Sequence, residues 1–273
     1  MARARNRIDR MFSRLSAEGR SAFVTFTVAC DPSFEESLER MRLLARNGID
    51  LLEIGHTYSD PILDGATIQV ANRRALAAGG NLARTLDLCA AFRAGDDVTP
   101  IVLMGYANPI LTMGYKAFAA RAAAAGIDGL IVADLPLREA EPLLTALGRH
   151  GLVMIPLAAP SLPTGDFVSG RREVGGFLYC IPVVGPTGGP SASIEAIAEA
   201  VARCRNVSPL PVMVGFGVKT PAMAAAVADV ADGVIVATAL IDQFETMRRN
   251  GDEDAFRRDA ARLVADYRQA IDN

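Results

Sequence analysis

The sequence predicts an α/β protein folded as a single TIM-type (β/α)8 barrel, with an extra amphipathic helix at its N-terminus. Eight short apolar runs recur along the 273 residues, and stretches with helical spacing lie between most of them. The runs are apolar on both faces, which is typical of parallel strands that helices cover on the outside. A strand followed by a helix, repeated to a count of eight, closes naturally into a barrel.

The predicted elements follow one another in that order along the chain. The predicted strands are 22–29, 50–55, 100–106, 128–134, 152–159, 176–182, 211–217 and 233–239. The predicted helices between and after them are 34–46, 67–77, 114–125, 138–149, 192–203, 220–230 and 253–270. The link 160–175 is poorly patterned and predicts at most a short helix. No linker or second domain is visible, so we expect one domain over 1–273.

The arginine-rich segment at the start of the chain predicts a helix rather than a targeting arm. Ile8, Met11 and Leu15 recur at helical spacing, so one face of this helix is expected to lie against the domain. Asp9 and Glu18 argue against a transit peptide, because such peptides avoid acidic residues.

An open, doubly wound sheet is the alternative topology. That fold is expected to carry a glycine fingerprint of the GxGxxG type after its first strand. Here the junction after the first predicted strand reads TVACDPS, which contains no glycine. The sequence therefore favours the barrel.

Composition excludes several classes of function. The net charge of −3 gives no basic excess, so nothing global indicates binding to nucleic acid. No apolar run approaches the roughly 20 residues that a membrane-spanning helix needs. The four cysteines form no CxxC pair, and we expect them to be reduced, mostly buried thiols of a cytoplasmic protein.

Glu53 is the first candidate catalytic residue, because it lies within the otherwise apolar run LLEIG. In a barrel, the active site forms at the C-terminal ends of the strands. Burial disfavours the charged form of a carboxyl group and raises its pKa, which suits proton transfer near neutral pH. A structural ion pair with a buried arginine explains the same residue equally well at this point.

The loop after this strand, 56–69, carries two more carboxylates. Asp60 precedes a proline and Asp64 precedes a glycine, so turn formation alone explains both, and it is the better explanation for Asp60. Asp64 differs because a loop in this place can bring it over a substrate bound above Glu53.

Glycines after the seventh strand indicate a phosphate site. Barrels often bind phosphate between the loops that follow strands seven and eight, using backbone N–H groups and a helix N-terminus. Gly215 and Gly217 let the main chain approach an anion closely, and Ala237 and Thr238 end the eighth predicted strand. A simple tight turn explains the GFG sequence equally well, and its position is what favours the phosphate site.

Other chemistries are poorly supported. The only lysines, Lys116 and Lys219, lie outside the predicted strands, which argues against a Schiff-base mechanism. Two histidines are too few for a typical catalytic zinc site, and a hard-cation site made of His56, Asp60 and Asp64 is a weak alternative. Carboxylate acid–base chemistry on a phosphorylated small molecule remains, with no cofactor and no metal.

Motifs along nearly the whole chain resemble those of tryptophan synthase alpha subunits. Besides the N-terminal helix, they are LLEIG and YSDPILDGATIQ, FVTFTVACDP, MGYANPI, VADLP, YCIPVVGPTGG, GFGVKTP and GVIVATAL. The resemblance implies a lyase of tryptophan biosynthesis that cleaves indole-3-glycerol phosphate to indole and glyceraldehyde 3-phosphate by a cofactor-independent retro-aldol reaction. It also implies a tryptophan synthase beta subunit as partner, in an α2β2 tetramer.

The resemblance assigns roles to particular residues. It makes Glu53 the acid–base carboxyl group and Asp64 the carboxylate that stabilises positive charge on the indole nitrogen. The residues it places around the substrate are Phe26, Tyr106, Tyr179, Thr187 and Gly188. Those it places at the phosphate are Gly215, Gly217, Ala237 and Thr238, and those in the loop facing the partner are Thr57 and Asp60.

Three positions depart from the family pattern. His56-Thr57-Tyr58 replaces a Val-Pro-Phe sequence, Val183 replaces a lid arginine, and Ala237-Thr238 replaces Gly-Ser. All three lie near the substrate or the partner. They leave open a divergent paralogue, which is either a lyase acting on another phosphorylated substrate or a non-catalytic regulator of a partner. His56 also adds a titratable group that could face the substrate.

Overall fold

One parallel β-sheet with helices packed around it forms the part of the chain that the computed structural model describes, which is residues 6–159, 171–182, 192–215, 217–249 and 251–273. Its strands are β1 (Ala22–Val28), β2 (Leu51–Gly55), β3 (Ile101–Gly105), β4 (Gly129–Val132), β5 (Val153–Met154), β6 (Leu157–Ala158), β7 (Leu178–Cys180), β8 (Val212–Val214) and β9 (Gly233–Val236). Its helices are α1 (Arg7–Glu18), α2 (Phe34–Arg46), α3 (Ala66–Ala77), α4 (Leu82–Arg93), α5 (Ala107–Met113), α6 (Tyr115–Ala124), α7 (Glu141–Gly148), α8 (Ile194–Val207), α9 (Pro221–Ala228), α10 (Thr238–Arg249) and α11 (Glu253–Asp272).

The sheet closes on itself within the fifth predicted strand. The strand order is β5-β4-β3-β2-β1-β9-β8-β7-β6, and only Ile155 and Pro156 separate the two edge strands along the chain. The Ile155 N–H donates to Leu130 on one side (2.8 Å), and the Pro156 carbonyl accepts from Tyr179 on the other (3.0 Å). Proline has no N–H to donate, which explains why the strand is split here. The predicted eight-position barrel is confirmed, and the doubly wound alternative is wrong.

Side chains alternate between the interior of the barrel and the layer under the helices. In β2, Leu51 belongs to the cluster inside the barrel, whereas Leu52 and Ile54 belong to the cluster that packs against the helices. Glu53 alternates with these two, so its side chain is directed into the barrel. The chain therefore turns a carboxyl group toward the barrel axis.

Helix α1 covers the N-terminal end of the barrel, as its amphipathic pattern predicts. Ile8, Met11 and Leu15 are buried in the same cluster as the interior residues of the strands. Asn6 caps this helix, and its side chain accepts the Asp9 N–H (3.1 Å). No helix in the described residues is both long and apolar enough to cross a membrane.

Three aspartates organise the N-terminal ends of the strands. Each directly precedes a strand, and its carboxylate accepts a backbone N–H near the start of the neighbouring strand. The pairs are Phe23 to Asp50 (3.0 Å), Ile101 to Asp128 (3.0 Å) and Val212 to Asp232 (2.7 Å). Each aspartate also has an arginine partner; for Asp50 these are Arg14 at 2.9 Å and Arg268 at 2.8 Å. These bonds tie neighbouring strands together where the polypeptide enters the barrel.

Two full-length helices, α4 and α10, were not predicted. Helix α4 buries Thr85 and leaves Ala90 exposed, so polar and apolar residues do not divide cleanly between its buried and exposed faces. Asn81 gives a usable signal, because its side chain accepts the Arg84 N–H (3.0 Å) as an N-cap. Helix α10 begins at Thr238, within the segment predicted as the eighth strand. Thr238 therefore lies at a helix N-terminus rather than in a strand.

Candidate active site

Glu53 is buried inside the barrel with little to compensate its charge. Its side chain is 1% exposed, and its strand neighbours in register are Phe26 and Val102. Within the described residues, Glu53 forms no ion pair and its Oε2 atom has no hydrogen-bond partner. Burial, with a smaller contribution from the charge of Asp64, raises the pKa of Glu53 from its usual 4.5 to about 8. The structural ion pair is therefore not found there, and the carboxyl group is mostly protonated near neutral pH.

Asp64 lies at the end of the loop between β2 and α3 and interacts electrostatically with Glu53. Its Oδ2 atom accepts a long hydrogen bond from the Asn72 amide (3.5 Å). Burial raises the pKa of Asp64 to about 6, and a hydrogen bond from the Tyr106 hydroxyl opposes this rise. Two neighbouring carboxyl groups with separated pKa values can hold opposite protonation states between pH 6 and 8.

Two of the predicted aromatic residues pack inside the barrel mouth. The ring of Phe26 covers Gly55, where a Cβ atom would lie 2.6 Å from the ring. The hydroxyl of Tyr179 lies against Gly215, where a Cβ atom would overlap it. Burial and the nearby Glu53 raise the pKa of Tyr179. Gly215 thus makes room for Tyr179, a role that the phosphate assignment from the sequence did not include.

Tyr106 connects the ends of β2 and β3. Its hydroxyl accepts the Leu63 N–H (3.0 Å) in the loop that carries Asp64. Its own N–H donates to Nε2 of His56 (2.9 Å). His56 therefore faces the backbone of the next strand, and the idea that it offers the substrate an extra proton donor is not supported.

The other half of the site begins after β8 and β9. Gly217 has φ +79°, a conformation that favours glycine. Ala237 and Thr238 are half-buried at the start of α10, whose first N–H groups have no acceptor within the helix. Lys219 is exposed, and its carbonyl accepts the Tyr267 hydroxyl (2.9 Å). Val183, Thr187 and Gly188 lie outside the described residues.

The loop assigned to a partner is partly buried. Thr57 is buried, and its hydroxyl donates to the Ala29 carbonyl (2.9 Å), whereas Asp60 is exposed. The sequence gave no role to Asn72, yet its amide oxygen also accepts the Tyr58 N–H (3.2 Å). The sequence signal that was available for Asn72 is a polar side chain among the residues that form the buried face of α3. Among the described residues, no group of three or more His, Cys, Asp or Glu side chains could hold a metal ion.

The fold and the site are those of a barrel enzyme whose C-terminal mouth holds two interacting carboxyl groups, an arrangement that can carry out acid–base chemistry. The family model described as tryptophan synthase alpha chain matches residues 12–271, and the chain belongs to this family. It is 49% identical over 242 residues to the tryptophan synthase alpha chain of Caulobacter vibrioides (89% of this chain, 88% of that one). It is 46% identical over 264 residues to that of Gluconacetobacter diazotrophicus (95% and 96%).

Solved structures agree with this assignment. Tryptophan synthase subunit alpha from Legionella pneumophila superimposes with a TM-score of 0.90 at 36% identity, covering 98% of this chain and 99% of that one. A structure of Mycobacterium tuberculosis tryptophan synthase gives 0.86 at 34% identity, covering 99% and 100%. The chain is therefore a lyase of the tryptophan synthase type, which cleaves indole-3-glycerol phosphate in tryptophan biosynthesis. None of these comparisons favours a divergent paralogue.

Proposed function

We propose that Glu53 and Asp64 divide the chemistry of this cleavage between them. The observation that carries the proposal is the buried carboxyl group of Glu53, whose Oε2 atom has no hydrogen-bond partner in the described residues and whose pKa is about 8, beside Asp64, with a pKa of about 6. Near pH 7 the first is mainly protonated and the second mainly ionised. They are therefore prepared as a general acid and as a fixed negative charge.

In the proposed reaction, Glu53 carries out two proton transfers before the carbon–carbon bond breaks. Protonated Glu53 donates its proton to the indole ring carbon that bears the glycerol phosphate chain, and ionised Asp64 stabilises the positive charge that develops on the ring nitrogen. The Glu53 carboxylate then takes the proton of the hydroxyl group next to the ring. The carbon–carbon bond breaks, its electron pair returns to the ring, and indole and an aldehyde leave. No cofactor takes part.

The surrounding residues supply binding in this proposal. Phe26 and Tyr179 offer apolar surface to the indole ring beside Glu53, and Tyr106 holds the loop that carries Asp64. Backbone N–H groups near Gly217 and at the start of α10 bind the phosphate. By family resemblance, Thr187 and Gly188 complete the site from the sixth loop.

We also propose a tryptophan synthase beta subunit as partner and the cytoplasm as location. Exposed apolar side chains on the C-terminal face support the first: Ile62 and Leu63 in the Asp64 loop and Leu111 on α5. Asp60 lies on the same loop, and Thr57 stabilises it from inside. Four free, buried cysteines support a reducing compartment. Co-elution with a purified beta subunit in size-exclusion chromatography tests the pairing.

The function is tested by mixing the purified chain with indole-3-glycerol phosphate and following indole release, with and without a beta subunit. We expect turnover by the wild type and none above background by Glu53→Gln. Asp64→Asn should retain only a trace of activity. Full activity in both variants would contradict the roles proposed for Glu53 and Asp64, whereas the family assignment would stand.

A further inference from the structure

We propose that His56 is a positioning residue, which holds Tyr106 and, through it, the loop that carries Asp64. The inference rests on the proposed role of Asp64. It concerns a residue that the proposed proton transfers do not use, but whose ring contacts link the end of β2 to the end of β3.

The histidine occupies a space formed for its ring. Its side chain is 3% exposed, and its ring lies over Gly105, where a Cβ atom would overlap Nε2. Nε2 lies 2.9 Å from the Tyr106 N–H, which it accepts, and 3.3 Å from the Tyr106 carbonyl; the shorter contact favours the neutral tautomer protonated at Nδ1. Burial lowers the pKa of His56 and favours this neutral form, although the carboxylate of Asp134 acts in the opposite direction.

Tyr106 transmits this constraint to the catalytic loop. Its backbone is held by His56 at one end, and its hydroxyl accepts the Leu63 N–H (3.0 Å) at the other. The same hydroxyl hydrogen-bonds to the carboxylate of Asp64. The Asp64 carboxylate is thus held by the Tyr106 hydroxyl as well as by the Asn72 amide.

Tyr58, two residues after His56, packs against the Tyr106 ring from the side. Its ring centroid lies 5.2 Å from that of Tyr106 and 6.3 Å from that of His56. Its hydroxyl accepts a hydrogen bond from the Asn108 amide (3.3 Å) on α5. Aromatic pairs at such distances attract one another, so the three rings form a connected cluster between β2 and β3.

The test compares two replacements of similar size. His56→Leu removes the acceptor and leaves a buried N–H unpaired, so we expect kcat to fall about tenfold with KM changed less than about twofold. His56→Gln can place an amide oxygen near the position of Nε2, so we expect it to retain kcat within about threefold of the wild type. His150→Leu, at an exposed position, is the matched control and should leave both constants unchanged.

A double-mutant cycle with Tyr106→Phe separates positioning from simple packing. If His56 acts through the tyrosine hydroxyl, His56→Leu should cost less than about twofold in the Tyr106→Phe background. Thermal unfolding checks that each variant is folded, and His56→Met, which is unbranched, replaces His56→Leu if that variant does not fold.

Equal losses in His56→Leu and His56→Gln, an unchanged kcat in His56→Leu, or full additivity with Tyr106→Phe would each overturn the proposal. The proposed function fails by a different result, which is undiminished turnover in Asp64→Asn with His56 intact.

Discussion

The two ends of the barrel treat buried carboxylates in opposite ways. At the N-terminal end, Asp50 is held by a backbone N–H and two arginines, and Asp128 and Asp232 are held by the same kinds of partner. At the C-terminal end, Glu53 has an Oε2 atom with no partner in the described residues. A compensated carboxylate stabilises the fold, whereas an uncompensated one keeps its proton and can donate it.

Desolvation alone does not explain the difference. Burial raises the pKa of Asp50 as well as that of Glu53. The Phe23 N–H and the arginines oppose this rise at Asp50, whereas at Glu53 the neighbouring Asp64 adds to it. The partners supplied by each end of the barrel therefore decide whether a carboxyl group serves stability or chemistry.

The largest expected effect comes from removing the acid at the C-terminal end. Glu53→Gln should lower turnover by at least about a thousandfold, because general acid–base catalysis contributes factors of that order. The same variant should gain stability relative to the wild type as the pH rises. Because folding raises the pKa of Glu53, its protonated carboxyl group contributes stability that is fully present below the ordinary pKa of 4.5 and is lost progressively as the pH rises through about 8.

Indole release and chemical unfolding at several pH values measure the two halves of this prediction. Activity of Glu53→Gln within tenfold of the wild type would show that another group supplies the proton.

Removing a compensated carboxylate should have the reverse outcome. Asp50→Asn removes the buried carboxylate that pairs with Arg268, which keeps Asp272 as a partner, and should cost about 2 kcal/mol of unfolding free energy, while kcat of the folded enzyme changes less than twofold. Urea unfolding measures the loss. Asp87→Asn, at an exposed ion pair, is the control and should change the unfolding midpoint little. A stable but inactive Asp50→Asn enzyme would contradict the prediction that carboxylates at the N-terminal end serve stability and not catalysis.

The two ends of the barrel also differ in the groups that we expect to bind anions. At the N-terminal end arginines pair with the carboxylates, whereas at the C-terminal end we expect backbone N–H groups to hold the substrate phosphate. Gly217→Val should raise KM by about tenfold or more, because φ +79° disfavours valine and each lost charge-assisted hydrogen bond is worth roughly 1.5–3 kcal/mol. Lys219→Ala, at an exposed side chain, should change KM less than twofold. The opposite ranking in steady-state kinetics would assign the phosphate to a side-chain charge.

The smallest expected effect is a shift in the pH profile. In the proposed mechanism, activity needs ionised Asp64 and protonated Glu53, so kcat/KM should rise through about pH 6, fall through about pH 8 and peak near 7. Asp64→Asn removes a charge that raises the pKa of Glu53, so the alkaline limb of the residual activity should move to lower pH. Asp259→Asn, at the surface, should leave the limb in place. An unmoved limb in Asp64→Asn would mean that the two carboxyl groups are not coupled.

Periodicity and strand composition were sufficient to predict the barrel, but not its seam or the helices α4, α5 and α10. Pro156 within the fifth predicted strand was a visible sign that the ladder is interrupted, since proline cannot donate to it. Helix α4 was not predicted because polar and apolar residues do not divide cleanly between its buried and exposed faces. Helix α10 escaped because Thr238 follows the apolar run of β9 without a break.

In the candidate site, too, some residues could be predicted from the sequence and others could not. Glu53 could be found because a carboxyl group within an apolar strand breaks a local pattern. The role of His56 could not, since it depends on a contact with Tyr106, 50 residues away, and on the missing Cβ of Gly105. The aspartates of the N-terminal end were likewise invisible, because their partners come from neighbouring strands rather than from adjacent residues.

The split fifth strand also predicts where the sheet opens by local unfolding. Only two residue pairs join β4 to β5 and two join β6 to β7, compared with five between β1 and β2. Backbone amides at this seam, such as those of Ile155 and Tyr179, should therefore exchange their hydrogens with solvent sooner than those of β1. Such local opening lets the barrel part along one line while the other strands remain paired. Tyr179 also lies beside Glu53. Slower hydrogen exchange of its backbone amide in the presence of substrate would therefore show that substrate binding restrains the opening of this seam.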